Sequence, residues 1–201
     1  MGFDDLTLRD FLGQMAAKTP TPGGGAAASA VGALSAALAQ MVVAYSIGKK
    51  ALAAHEPLLQ AAAEYLTRAR GLLLALADED AAAYGAVNEL SRLPETDPRR
   101  RDELPAAQAA AVDVPMATMA AGLDLLRRFE PLATTTNRFL RSDLAIAAVL
   151  AEACCAASHW NVRVNVGALG ADTQARVSEQ ATAMEHAARD LRARIEAACA
   201  G

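Results

Sequence analysis

PTPGGGAAASAVGALSAALAQMVVAYSIGKK, residues 20–50, holds three successive glycines, more than twenty residues without a formal charge, and then two adjacent lysines. Three readings compete for it: a membrane span, a phosphate cradle and a core helix. Residues 23–47 are long enough to cross a bilayer, for which about twenty residues suffice. Composition argues against a span. Many positions are Ala, Gly or Ser, Gln40 sits mid-stretch and no aromatic belt brackets both ends, whereas lipid-facing helices favour Leu, Ile, Phe and Val. The glycines do not match G-x-x-x-x-G-K-[ST], and no strand pattern precedes them, which removes the nucleotide fingerprints. What remains is a helix that is small and uncharged on every side, the central helix of a bundle whose neighbours approach closely. Its first turn leaves backbone N–H groups free to donate to carboxylate or phosphate oxygens; the plainer alternative is that the glycines only admit a tight connector to a crowded helix start. Lys49 and Lys50, near the far end, either complement the helix dipole or hold a polyanionic tail.

The rest of the chain carries the same helical signal. Hydrophobic residues make up 53% of the 201 and aromatics only 4%, so the apolar mass is mostly Ala, Leu and Val, and Ala has the best helix propensity. Apolar positions recur at three and four residues and strict alternation is nearly absent, which predicts helices and no sheet. The spacing predicts a first helix over 5–17 carrying Leu6, Phe11, Leu12 and Met15, a second from the glycines to Ile47, closed by Gly48, and a third from His55 or Pro57 to Leu90. Residues 91–105, with three prolines and dense charge, read as an exposed connector. Residues 106–130 read as a helix broken or kinked at Pro115. A fifth helix is expected from Asn137 to Gly167 and a sixth over 172–199. The expected architecture is all-α: one domain, 1–201, a bundle of about six helices around the small-residue helix.

Net charge is -4 and the basic doublets are scattered, so nothing resembles the positive face that neutralises a nucleic-acid backbone. The N-terminus, MGFDDLTLRDFLGQM, lacks the basic start and apolar run of a secretory leader, and the expected location is the cytoplasm, with no membrane partner. Cys154, Cys155 and Cys199 show neither CxxC nor zinc-ligand spacing and read as reduced, packed thiols.

NRFLRSDLAIAAVLAEACCAASHWNVRVNVGAL, residues 137–169, sets isolated polar groups among small apolar ones. Asp143, Ala147, Cys154, Ser158, Asn161 and Asn165 fall near one face at about 100° per residue, and buried polar groups need partners or a ligand. Asp143 and Asn161 are eighteen residues apart, which is about 27 Å of unbroken helix. Either an extended ligand spans them, or an antiparallel second subunit brings the asparagines beside the other chain's aspartate, as a two-fold interface permits. Asp143 is equally placed to cap the helix start or to pair with Arg141. A second acidic cluster, ADEDAAAYGAV at 77–87, sets Asp80 and Tyr84 one turn apart, and a solvated helix face is its cheaper explanation. His55, His159 and His186 have no metal-ligand spacing, so no metal is expected, and no Ser-His-Asp order stands out.

Together these stretches resemble the cyclodeaminase/cyclohydrolase family of folate enzymes. PTPGGGAAA with MVVAYSIGKK, then DEDAAAY, VPM, NRFLRSDLAIAA and NVRVN occur in the family's order across nearly the whole chain. The resemblance implies an all-helical homodimer with a folate-binding cleft, a tetrahydrofolate one-carbon derivative as substrate, and no prosthetic group, metal or nucleotide. Residue by residue it implies Asp143 and Lys49 as catalytic, and Gly23, Gly24, Gly25, Lys50, Asp80, Ser142, Asn161 and Asn165 as substrate-binding. Leu52 stands where the family's G-[KR]-[KR]-x-[YF] ending carries an aromatic ring.

The activity this implies is that of a methenyltetrahydrofolate cyclohydrolase. Water attacks the methenyl carbon and a carbon–nitrogen bond opens to give 10-formyltetrahydrofolate. Asp143 either deprotonates the water or anchors the pterin, and Lys49 or water supplies the leaving-group proton. The cyclohydrolase reading is favoured because the chain stands without a formiminotransferase half. Formiminotetrahydrofolate cyclodeaminase, releasing ammonia, is the second expectation and a non-catalytic folate-binding dimer the third.

Overall fold

The computed structural model describes residues 2–201, the side chain of Asp4 aside. Six α-helices carry the chain: α1 (Leu8–Met15), α2 (Gly24–Ala44), α3 (Glu56–Ser91), α4 (Pro98–Thr135), α5 (Arg141–Asn165) and α6 (Ala171–Ala200). Short 3-10 turns lie at Phe3–Asp5, Lys50–His55, Arg138–Leu140 and Val166–Ala168, and no strand occurs among the described residues.

α2 lies along α3 and α5 and touches α4, while α6 covers α4 and α5. The cover expected on every side of α2 is missing along one stripe, where Leu34 and Tyr45 are exposed. The buried positions of α2 are all Gly, Ala or Ser, except Val42 and Val43 near its end. Small side chains let the neighbouring backbones approach. Ser35 Oγ donates to the Ala147 carbonyl of α5 at 2.7 Å. Just beyond the helix, Ser46 Oγ donates to the Val42 carbonyl at 2.7 Å and accepts the Asn137 N–H at 2.9 Å, which ties the exit of α2 to the approach of α5. α2 and α4 are both long and apolar enough, by length and composition, to cross a bilayer, yet about half of each apolar window is buried against the other helices.

Two glycines account for the adjacent cysteines. A Cβ on Gly32 of α2 would lie 2.8 Å from Cys154 Sγ, and one on Gly122 of α4 would lie 2.8 Å from Cys155 Sγ. Neighbouring positions on α5 thus face two different helices, and each thiol fills the notch a glycine leaves. Burial pushes the Cys154 thiol up to about 12 and raises Cys155 as well. The thiolate is the reactive form, so native protein treated with a thiol reagent at pH 8 should titrate only Cys199, and three thiols should appear after denaturation. A second fast-reacting thiol in the native state would contradict this packing.

The helix boundaries differ from expectation in five places, the simplest being that the second helix ends at Ala44 and not at Ile47. The first helix is shorter than 5–17, because Thr7 Oγ1 accepts the Asp10 N–H at 3.1 Å and caps a helix that starts at Leu8. The connector expected over 91–105 shrinks to a few residues. Asp97 accepts the Arg99 N–H at 2.8 Å, and Pro98 occupies the first helical position, where its missing N–H costs nothing. The charges that suggested a loop are instead an exposed first turn, with Arg99 paired to Glu103 and Glu89. Finally, α4 runs unbroken through Pro105, Pro115 and Pro131. The fifth helix opens at Arg141, after a 3-10 turn, instead of at Asn137.

Candidate active site

Gly23 caps α2 in an extended conformation, and the first ladder bond runs from the Ala27 N–H to the Gly23 carbonyl at 3.0 Å. The N–H groups of Gly24, Gly25 and Ala26 therefore have no partner within the helix. Asp80 of α3 lies directly over this turn. A Cβ on Gly25 would sit 1.9 Å from Asp80 Oδ1 and 2.1 Å from its Cγ, so position 25 must be glycine for reasons of space. The Ala26 N–H favours the charged carboxylate, but burial outweighs it and holds the Asp80 carboxyl above the ordinary carboxylate range.

The end of α5 supplies the opposite wall. Asn161 Oδ1 lies 3.3 Å from where a Cβ on Gly24 would be, and its Nδ2 is buried without a hydrogen-bond partner. Asn165 Nδ2 donates to the Ala111 carbonyl of α4 at 3.1 Å and to the Asn161 carbonyl at 3.0 Å. Between these walls is a cleft of about 300 Å³, with Tyr84 and Val164 on its rim and Pro20 and Thr21 beside the glycines. That volume lies at the small end of ligand sites.

Six of the residues to which the resemblance gives a substrate-binding role thus meet here: Gly23, Gly24, Gly25, Asp80, Asn161 and Asn165. Asp80 is not on a solvated face, because the crossing of α3 over the start of α2 covers it. Lys49, Lys50, Ser142 and Asp143 are elsewhere. The start of α2 meets the end of α5, and the end of α2 is bonded to the approach of α5. The two helices are therefore antiparallel, and these four residues cluster at the far end of both. About 27 Å of helix separates Asp143 from Asn161, so one chain does not bring them into one cleft. Ala111 also lines the cleft; no motif marks it in the sequence, since only the packing of α4 on α5 places it there. Among the described residues, no three His, Cys, Asp or Glu side chains converge as a metal ion would require.

Residues 7–186 match the family model described as formiminotransferase-cyclodeaminase. The chain belongs to that family. This family member is similar to the methenyltetrahydrofolate cyclohydrolase of Methylorubrum extorquens, 34% identical over 89% of this chain and 87% of that protein. It is also similar to the formimidoyltransferase-cyclodeaminase of Mus musculus, 32% identical over 81% of this chain. The match covers 31% of the mouse protein, so the chain corresponds to about a third of that relative and to most of the bacterial one. Among solved structures, formiminotetrahydrofolate cyclodeaminase from Thermotoga maritima superposes with a TM-score of 0.90 at 31% identity, over 98% of both chains. Both the glycine-end cleft and the Lys49–Asp143 cluster of this family member fall inside the matched span.

Proposed function

We propose that this family member is a methenyltetrahydrofolate cyclohydrolase, hydrolysing 5,10-methenyltetrahydrofolate to 10-formyltetrahydrofolate. The observation that carries the reading is Asp80, a carboxylate pressed over the bare first turn of α2 inside a cleft that offers a further unpaired donor at Asn161. The methenyl carbon bridges two nitrogens and shares their positive charge. Asp80 attracts that cation and accepts a proton from the attacking water, and burial has already moved its carboxyl toward the range where a general base works. Addition of hydroxide gives a neutral carbinolamine. The bond from carbon to N5 then breaks as N5 takes the proton held by Asp80, and the hydroxyl proton leaves to solvent as the formyl group forms. Hydration and ring opening transfer no electrons, so the reading needs no prosthetic group. Three free cysteines suit a reducing cytoplasm, where we place it.

A homodimer completes the site in this reading. Ala27, Val31, Leu34, Leu38, Met41 and Tyr45 recur on α2 at alternating steps of four and three, all half-buried or exposed. Ile146, Val149, Ala153, Ala157, Trp160 and Val164 recur on α5 at steps of three and four and are likewise half-buried or exposed. None of these positions is charged, and Trp160 is 63% and Val164 73% exposed. A groove of about 410 Å³ runs between the two stripes. An apolar seam of this length is what a second copy would cover. A two-fold axis crossing α5 near its middle pairs position 143 of one chain with position 161 of the other. Asp143 and Lys49 of one copy then border the glycine-end cleft of the other, where Lys49 and Lys50 suit the glutamate carboxylates of the folate. Ile146→Asp should convert the dimer to monomer in sedimentation and lower turnover at least tenfold. A monomeric wild type with full turnover would remove the shared site.

The second reading is formiminotetrahydrofolate cyclodeaminase, favoured by the likeness to the Thermotoga structure. It uses the same carbon, but the ring closes and ammonia leaves. Purified protein given methenyltetrahydrofolate should accelerate loss of its absorbance. Ammonia from the formimino substrate without acceleration of the first reaction would replace the leading reading with the second, and loss of neither substrate would sink both.

A further inference from the structure

α4 absorbs Pro115 at one specific point. A helical carbonyl normally accepts the N–H four residues on, and Pro115 has none to give. The carbonyl so released is that of Ala111, which lines the cleft. A half-buried carbonyl left without a donor is costly. Asn165, arriving from the end of α5, supplies the donor at 3.1 Å and spends its second amide hydrogen on the Asn161 carbonyl at 3.0 Å.

Those two bonds fix which way the amide faces. Turned by 180°, its oxygen would meet two carbonyl oxygens, with repulsions in place of both bonds. Asn165 Oδ1 has no hydrogen-bond partner among the described residues and is not among their buried, unpaired polar atoms. It is therefore open to the cleft as an acceptor. Its neighbour one turn back is not pinned in this way: the Asn161 side chain makes no hydrogen bond among the described residues, and its Nδ2 is a buried donor without an acceptor, available to a ligand carbonyl.

We propose that Pro115 is a positioning residue for ligand recognition. By releasing the Ala111 carbonyl it locks the Asn165 amide, so that the end of α5 presents an acceptor at Asn165 beside a donor at Asn161. The complementary edge carries an N–H next to a carbonyl, as in the 2-amino-4-oxo-pyrimidine half of a pterin. A 2,4-diamino ring carries an amino group in place of that carbonyl and a bare ring nitrogen in place of that N–H, so it faces the locked Asn165 oxygen with the wrong polarity. The ligand assignment rests on the cleft being the folate site; the lock itself does not.

The test pairs ligand binding with a direct probe of the Asn165 amide. In 15N-labelled protein the side-chain hydrogens of Asn165 should exchange slowly, and tetrahydrofolate should bind at least tenfold more tightly than its 2,4-diamino counterpart. Pro115→Ala restores an N–H to the Ala111 carbonyl. It should speed exchange at Asn165, raise KM about tenfold with kcat within a factor of two, and shrink the 4-oxo preference, while the melting temperature stays level or rises. Asn165→Asp sets a carboxylate against the two carbonyls and should raise KM in the same way. Unchanged exchange and KM in Pro115→Ala would overturn the proposal, as would a fall in melting temperature with KM unmoved. If the wild type binds neither pteridine while exchange still speeds up in Pro115→Ala, the folate reading fails and the positioning bond stands.

Discussion

Replacing Asp80 by asparagine should lower kcat by about 10³-fold, within the range spanned by loss of a general base, while leaving the fold intact. Asparagine keeps the size of the side chain and an oxygen for the Ala26 N–H, but it cannot take a proton from water or attract the methenyl cation. The stability of the variant should move the other way. Burial raises the Asp80 carboxyl above its ordinary range, so the folded state holds this proton to higher pH than the unfolded chain does. Wild-type stability is unpenalised below the ordinary carboxylate value and falls as pH rises through the window up to the raised one. Asp80→Asn does not titrate there. Its melting temperature should match wild type in acid and exceed it at neutral pH. The acid limb of the wild-type kcat/KM profile should lie above an ordinary carboxylate value and vanish in the variant. A variant that keeps turnover within a few-fold of wild type would move the catalytic carboxylate to Asp143, where Asp143→Asn and Asp143→Ala then become the decisive pair.

Gly25→Ala should cost about 10²-fold in kcat/KM, the scale expected when a reacting group is misplaced by about 1 Å. The methyl group would stand 1.9 Å from Asp80 Oδ1 and 2.3 Å from Oδ2, so the carboxylate must leave the helix start. Stability should fall by about 1–3 kcal/mol, the usual cost of overpacking. Gly23→Ala is the control, since a Cβ there meets nothing within 4 Å. The mechanism also fixes how the substitutions combine. In an Asp80→Ala background Gly25→Ala has no carboxylate to displace, so the two effects should be strongly non-additive. Additive losses would mean that Gly25 matters for its backbone and not for the room it leaves to Asp80.

The six helices were legible in the chain because helix formation is local. Periodicity, caps and propensity act within a few turns, and the small residues of α2 mark it as a closely packed helix, though α3, α4 and α5 leave one of its faces uncovered. The errors fell where a local rule had two outcomes. Pro98 and the charges after it signal a connector or a helix start, and the Asp97 cap settles the matter. Pro115 breaks a helix unless something satisfies the carbonyl it releases, and Asn165 lies fifty positions further along the chain.

The candidate site divides in the same way. Its chemical inventory was present in the motifs: the glycines, Asp80, Asp143, the lysines and the asparagines. Which of them face each other was not, because the separation along a rigid helix depends on sequence while proximity between helices depends on packing. The antiparallel pairing of α2 and α5 gathers Gly24, Gly25, Asp80 and Asn161 at one end and leaves Lys49 and Asp143 at the other. The sequence by itself determined that this chain is a helical bundle with polar groups at defined heights on two long helices. Only the tertiary structure decided that Asp80 belongs to the glycines, since the space a missing Cβ leaves acquires meaning only when another helix fills it.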